Sequence, residues 1–308
     1  MATSRTEQAF RPALLHPRYW GIWAGLGLLW LLVRLPHRSQ MQLGRWLGLS
    51  LYRLARNRRQ VTETNIRLCF PARSAAAQQA LVRDSFISYG RSILESGNAL
   101  LRDTRHLQAR TRVTGVEHIK AAQAAGRGVL MVGAHFSTID LVGALISPQL
   151  DMDVIYRNSP NALFDWFIRR SRGRHFGNVW RKDDIRGIIR ALRNGRAVWY
   201  AADQNYSAKY SVFAPFFDIP AATIKGTSRL VEMTGAAAVF CSHFRINDGE
   251  YYEIHASTVL DNFPSGDEAT DARRINQLIE AALEEHPEQY LWQHRRFKSR
   301  PPGEPPVY

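Results

Sequence analysis

Residues 128–146, GVLMVGAHFSTIDLVGALI, place His135 and Asp140 five positions apart at the end of an uninterrupted apolar run. A histidine there, with an acid at the start of the next helix, can act as a general base oriented by a carboxylate. Free N–H groups at that helix start can face a developing oxyanion. A second reading of the same residues stands beside this one. Ser137 and Asp140 also have the spacing of a capping box, in which the acid only ties down the helix start. No G-x-S-x-G elbow supports Ser137 as a nucleophile. Walker A, G-x-G-x-x-G and metal-ligand spacings do not occur either, so no metal is expected.

These residues need a scaffold, and the apolar patterning describes one. From residue 111 onward, strand-like runs (VLMVGA, DVIYR, AVWYAAD, AAVFCSHFRI) alternate with helical stretches over 138–146, 161–172, 184–193 and 223–234. The sequence NDGE then turns the chain back into YYEIHASTVL as a hairpin. This alternation predicts an α/β fold with a mixed, mostly parallel sheet sandwiched by helices. Ligands of such sheets sit beyond the carboxyl ends of the strands. Just past the ends of successive strands stand His135, then Arg157 with Asn158, then Asp203 with Gln204 and Asn205. Arg172, Arg174 and Lys182 add cationic groups that suit phosphates, or else form a solvated basic face. SVFAPFF at 211–217 reads as an apolar loop that either lines an acyl-chain pocket or folds back on the core.

The first 108 residues differ in kind. Tyr19 to Val33 carries no charge over 15 residues, about 22 Å of helix against a hydrocarbon core of about 30 Å. With tryptophans at 20, 23 and 30 and seven arginines between 34 and 59, it predicts an N-terminal membrane-anchoring helix. The arginine excess places the following domain in the cytoplasm. Residues 41–60 read as a basic amphipathic helix and 75–103 as a long helix. The resulting organisation is an anchor over 1–40 and a single domain over 41–308. That domain has a helical lead-in to 108 and an α/β core from 109.

Composition limits the partners. With 41 Lys and Arg against 27 Asp and Glu, the net charge is +14, which favours acidic partners. The basic residues are not interleaved with aromatics in a groove-reading pattern, which argues against nucleic acid. Cys69 and Cys241, the only cysteines, are too few for a disulfide framework.

The His135/Asp140 box, the loop ADQNYSAKYSVFAPFF and the ending EQYLWQHRRFKSRPPGEP together resemble the late acyltransferases of lipid A biosynthesis. The lauroyl type is nearest, and the likeness extends over nearly the whole chain. The box alone is also shared with glycerolipid acyltransferases, whose acceptors are lysophosphatidate-type lipids. The resemblance implies transfer of a fatty acyl group from acyl carrier protein to the 3-hydroxyl of an acyl chain on a Kdo-bearing lipid A precursor. It implies a location at the cytoplasmic face of the Gram-negative inner membrane, among its phospholipids. The only prosthetic group implied is the carrier's own phosphopantetheine. Carried over, His135 is the base, Asp140 holds its imidazole, Arg157 positions substrate or the dyad, and Asp203 is the acid of the family's Asp-x-Asp-like loop, at the substrate. Asp140 stands where many members have Glu, and Asn205 where a second Asp is common.

Overall fold

The computed structural model describes residues 9–308; residues 1–8 of the expected anchor lie outside the described residues. Its helices are α1 (Trp20–Leu32), α2 (His37–Leu54), α3 (Arg56–Cys69), α4 (Ala75–Leu101), α5 (Arg105–Gln108), α6 (Val116–Ala124), α7 (Ile139–Ile146), α8 (Ala162–Arg172), α9 (Ile185–Arg193), α10 (Gly226–Thr234) and α11 (Glu268–Ala282). Its strands are β1 (Thr111–Thr114), β2 (Val129–Gly133), β3 (Met152–Tyr156), β4 (Val179–Arg181), β5 (Ala197–Ala201), β6 (Ser211–Phe216), β7 (Ile219–Ile224), β8 (Ala237–Ile246) and β9 (Tyr251–Val259).

Among the described residues, seven strands form one sheet in the order β1-β9-β8-β2-β5-β3-β4. β8, β2, β5, β3 and β4 run parallel, and the hairpin at Asn247–Gly249 returns β9 antiparallel to β8. This is the expected mixed, mostly parallel α/β sheet. Its central strands are apolar on both faces because both are covered. Leu130, Val132, Val198 and Phe240 pack toward α9, α10 and α11, while Val129, Met131, Ala197 and Val239 pack toward α7. Strand alternation makes this division obligatory.

SVFAPFF is not a loop. Ser211–Phe216 pairs antiparallel with β7, and Phe216 is buried against Tyr290, Trp292 and Phe297. Of the two expectations for this segment, the core-packing one holds.

The N-terminal region departs from expectation. α1 has 13 residues, about 20 Å at 1.5 Å per residue. Among the described residues, no helix is long and apolar enough to cross a membrane. A transmembrane anchor is therefore not found among the described residues 9–40. Instead the base of α1 docks on α8: Trp23 donates its indole N–H to Leu14 O and tilts against Trp166. Its C-terminal carbonyls, which have no helical partner, are capped by side chains. Gln40 and Arg102 both donate to Val33 O. The predicted helix over 41–60 is two helices, broken at Ala55, whose ψ of 62° is not helical.

α2 lies on α4 at a distance only glycine permits. A Cβ at Gly90 would sit 2.2 Å from Gly44 O and 2.4 Å from Gly48 N. Gly90→Ala is therefore expected to lose about 1–3 kcal/mol of stability, because rigid backbone rather than a movable side chain blocks the methyl. Gly27→Ala, with nothing within 4 Å, is expected to be neutral or slightly stabilising. Chemical denaturation of both variants checks this; equal midpoints would contradict it.

Candidate active site

The register of the parallel strands assembles the site. Gly133 of β2 pairs with Ala201 of β5, and Val132 pairs with Phe240 of β8. Continuing the β2–β5 pairing two residues past the strand ends puts His135 beside Asp203. The geometry bears this out. His135 Nδ1 lies 2.7 Å from Asp203 Oδ1, and the His135 backbone N–H donates to Asp203 Oδ2 at 3.0 Å. Asp203 is 2% exposed. Burial alone would raise its pKa, but the charge and hydrogen bonds of His135 outweigh this and hold it down at about 2. An ionised carboxylate only accepts, so Nδ1 carries the proton. Gln204 donates to His135 Nε2 at 3.1 Å, leaving that nitrogen as the acceptor. Withdrawal of the imidazole from water opposes its protonation. The negative charge of Asp203 and its hydrogen bond prevail, and the pKa is raised above 6.5.

The acid on the imidazole is therefore Asp203, where the sequence spacing assigns Asp140. Asp140 instead accepts from Arg172 at 2.7 Å and from Ser96 at 3.0 Å. Burial pushes its pKa up, and the Arg172 cation overrides this to lower it. Its charge still favours the His135 imidazolium through space. It does not act as the capping-box acid either: the Ser137 N–H from which such an acid would accept donates to Gln289 O.

The turn carrying His135 is held from the C-terminal end of the chain. Ser137 N donates to Gln289 O at 2.7 Å, Leu291 N donates to His135 O at 3.1 Å, and Phe136 bridges to Tyr290. Gln289 Nε2 donates to Arg245 O, and Trp292 Nε1 donates to Pro287 O. The Ser137 N–H is thus not available to an oxyanion. Asn205 is also engaged, its carbonyl accepting from Ser299 N and its backbone N–H donating to His294 Nε2. These bonds give the EQYLWQHRRFK run a physical role in supporting the turn.

His135 opens onto a cavity of about 410 Å³ between the sheet and α7. Its mouth carries Asp140, Arg157 and Arg172, while Met131, Val142, Ile146, Met152, Phe176 and Trp199 make the interior apolar. Apolar walls with a few polar groups at one end are the usual form of a small-molecule site. Lys182 lies 5.9 Å from the Tyr206 ring and so stands near the Asp203–Tyr206 loop. Arg174 is placed differently: it donates to Leu100 O and Ser171 O, closing helix ends rather than lining the cavity.

Two features escape sequence reasoning. His243 lines the cavity from mid-strand. The Glu95–Arg245 pair is 2.5 Å apart and wholly buried behind Ser137, and Tyr252 OH donates to Glu95 at 2.7 Å. A lone acid in the apolar stretch of α4 was its only signal.

The family of bacterial lipid A biosynthesis acyltransferases matches residues 7–299. The chain is 39% identical over 300 residues to the lipid A biosynthesis lauroyltransferase of Escherichia coli (strain K12), covering 97% of this chain and 98% of that one. It is 37% identical over 300 residues, with the same coverage, to the palmitoleoyltransferase of that organism. It is 29% identical over 316 residues to its myristoyltransferase, covering 99% of this chain and 96% of that one. With a buried Asp203 holding His135 at the carboxyl ends of the central strands and an apolar cavity beside them, this chain belongs to the bacterial lipid A biosynthesis acyltransferase family and is an acyltransferase.

Proposed function

We propose that the enzyme moves a fatty acyl chain from acyl carrier protein to a hydroxyl of an acyl chain on a Kdo-bearing lipid A precursor. The observation that carries this reading is the His135–Asp203 pair opening onto an apolar cavity. The acyl chain lies in the cavity with its thioester at the mouth. The acceptor hydroxyl displaces the Gln204 amide from Nε2 and gives its proton to that nitrogen as its oxygen attacks the thioester carbonyl. The tetrahedral intermediate collapses, the C–S bond breaks, and the departing thiolate takes the proton back from Nε2. No covalent enzyme intermediate is needed. A placed base contributes about 10²–10⁴-fold, and fixing both reactants contributes further.

Asp203 keeps the proton on Nδ1 and stabilises the imidazolium. Asp140 holds Arg172 at the mouth, where Arg157 and Lys182 add positive charge for an anionic acceptor. The donor thioester sits on the phosphopantetheine of the carrier protein, and the net charge of +14 suits two acidic partners. The reaction takes place on the cytoplasmic face of the inner membrane. Trp20, Leu28, Trp30 and Leu31, all exposed on α1, enter the interfacial layer without spanning it, and the following arginines meet anionic headgroups.

Incubating the full chain with acyl carrier protein thioesters tests this. The acceptors are Kdo-bearing lipid A precursor or lysophosphatidate, each in anionic phospholipid vesicles. One added acyl mass on the lipid A precursor, with the enzyme sedimenting with the vesicles, is expected. Equal use of lysophosphatidate, or enzyme left in the supernatant, contradicts the corresponding part of the reading.

A further inference from the structure

β8 outruns its neighbour. Its pairing with β2 ends where Phe240 meets Val132, while the strand itself continues to Ile246. Past that point the edge toward the His135 turn has no strand beside it, and its peptide groups still need partners. Side chains supply them. Thr138 Oγ1 donates to His243 O at 3.3 Å. At Arg245 the side chain of Gln289 takes the place of a strand residue: its Oε1 accepts from Arg245 N and its Nε2 donates to Arg245 O, both at 2.8 Å. The main-chain oxygen of the same Gln289 accepts from Ser137 N at 2.7 Å. The turn is thus tied to Arg245 through one intervening residue.

The guanidinium reaches the turn by a second route. Arg245 Nη1 donates to Ser88 Oγ at 3.2 Å, and Ser88 Oγ donates to Ser137 Oγ at 2.9 Å. Glu95 of α4 holds the rest of the group, accepting from Nε at 2.7 Å and from Nη2 at 2.5 Å. The hydroxyl of Tyr252 donates to the same carboxylate. Arg245 is 5% exposed and Glu95 1%. A buried ion pair is a weak source of stability, because removing both charges from water costs about as much as their attraction returns. Nor do Ser88, Glu95, Ser137 and Arg245 line the cavity beside His135. What distinguishes the pair is its place behind the catalytic turn, bonded to it through main chain and side chain.

We propose that Glu95 and Arg245 are positioning residues, whose ion pair fixes Ser137 and thereby aims the His135 imidazole at Asp203 and the cavity. This rests on the reading of His135 as the base. A misplacement of about 1 Å in a reacting group can cost about 10²-fold in rate, with substrate contacts left as they were.

Removing one partner alone strands the other charge and risks unfolding. The double variant Glu95→Gln with Arg245→Met removes both charges together and keeps an acceptor for the Tyr252 hydroxyl. Ser137→Ala, which cuts only the side-chain route, is the milder second variant. Melting temperature, kcat and KM are measured on the full chain, and the His135 ring is titrated by NMR with labelled histidine, its signal assigned by loss in His135→Ala. The double variant is expected to melt close to wild type and to lose about 10–10²-fold in kcat with little change in KM. Its His135 ring, raised above 6.5 in wild type, is expected to titrate closer to 6.5 as the bond to Asp203 loosens. The charged groups that face this ring, Asp203, Asp140 and Arg172, are untouched by either variant. Ser137→Ala is expected to move both readouts the same way by less. Wild-type kcat in a folded double variant overturns the proposal, as does a lower kcat with an unchanged ring titration. A raised KM at unchanged kcat also overturns it, making the pair a substrate contact through the polar cleft that Ser88, Arg245 and Gln289 line. Should the double variant not fold, unchanged kcat and titration in Ser137→Ala overturn it alone. If His135→Ala keeps its turnover while the ring titration responds as expected, the reading of the base fails and the positioning of the ring stands.

Discussion

His135→Ala is expected to lower kcat/KM for acyl transfer by about 10²–10⁴-fold, the contribution of a placed base. The protein should still fold, because the imidazole is at the cavity edge, 28% exposed, and the turn it sits on is held by main-chain bonds to Gln289 and Leu291. Melting temperature and vesicle sedimentation close to wild type would separate lost chemistry from lost structure. Near-wild-type turnover would remove His135 from the mechanism. Only the neutral ring accepts a proton, and its pKa is raised above 6.5. Wild-type kcat/KM should therefore rise with pH through that raised value and level off above it.

The second large effect is expected at Asp203. Asp203→Asn keeps the shape but removes the charge, and its amide can donate to Nδ1, favouring the tautomer with the proton on Nε2. A loss of about 10²–10⁴-fold is expected, as for a base held in the wrong tautomer. The residual activity should also carry a signature. Without the negative charge the imidazolium is less stable, so the acid limb of the pH profile should move to lower pH. A purely structural role for Asp203 would lower activity without moving that limb. Asp140→Asn supplies the contrast, since it leaves the bond between Asp203 and Nδ1 in place. If Asp140→Asn costs more than Asp203→Asn and shifts the pH profile further, the carboxylate five residues after His135 is the orienting one.

The fold was legible in the sequence where apolar runs were long enough to require burial on both faces. β2, β5 and β8 are such runs, and the rule that polar residues gather beyond strand ends found His135, Arg157 and Asp203. The partner of the histidine was not legible. Asp203 reaches it because β5 lies beside β2 in one register, a pairing across 68 residues that no local pattern encodes. Asp140 was the nearest acid in sequence, and spacing alone favoured it. Short or atypical strands were missed for local reasons. β4 has three residues, and the prolines in β6 and β7 face each other at Pro215 and Pro220, where strand propensity is poor. The break at Ala55 escaped because neither glycine nor proline marks it.

The pairing of residues 289–291 with the turn at 135–137 has a consequence for biosynthesis. The segment that orders the histidine leaves the ribosome more than 150 residues after the histidine itself. A nascent chain that has not yet released that segment therefore holds its base without the bonds that aim it. Catalytic competence arrives only once residues 289–291 have emerged and paired.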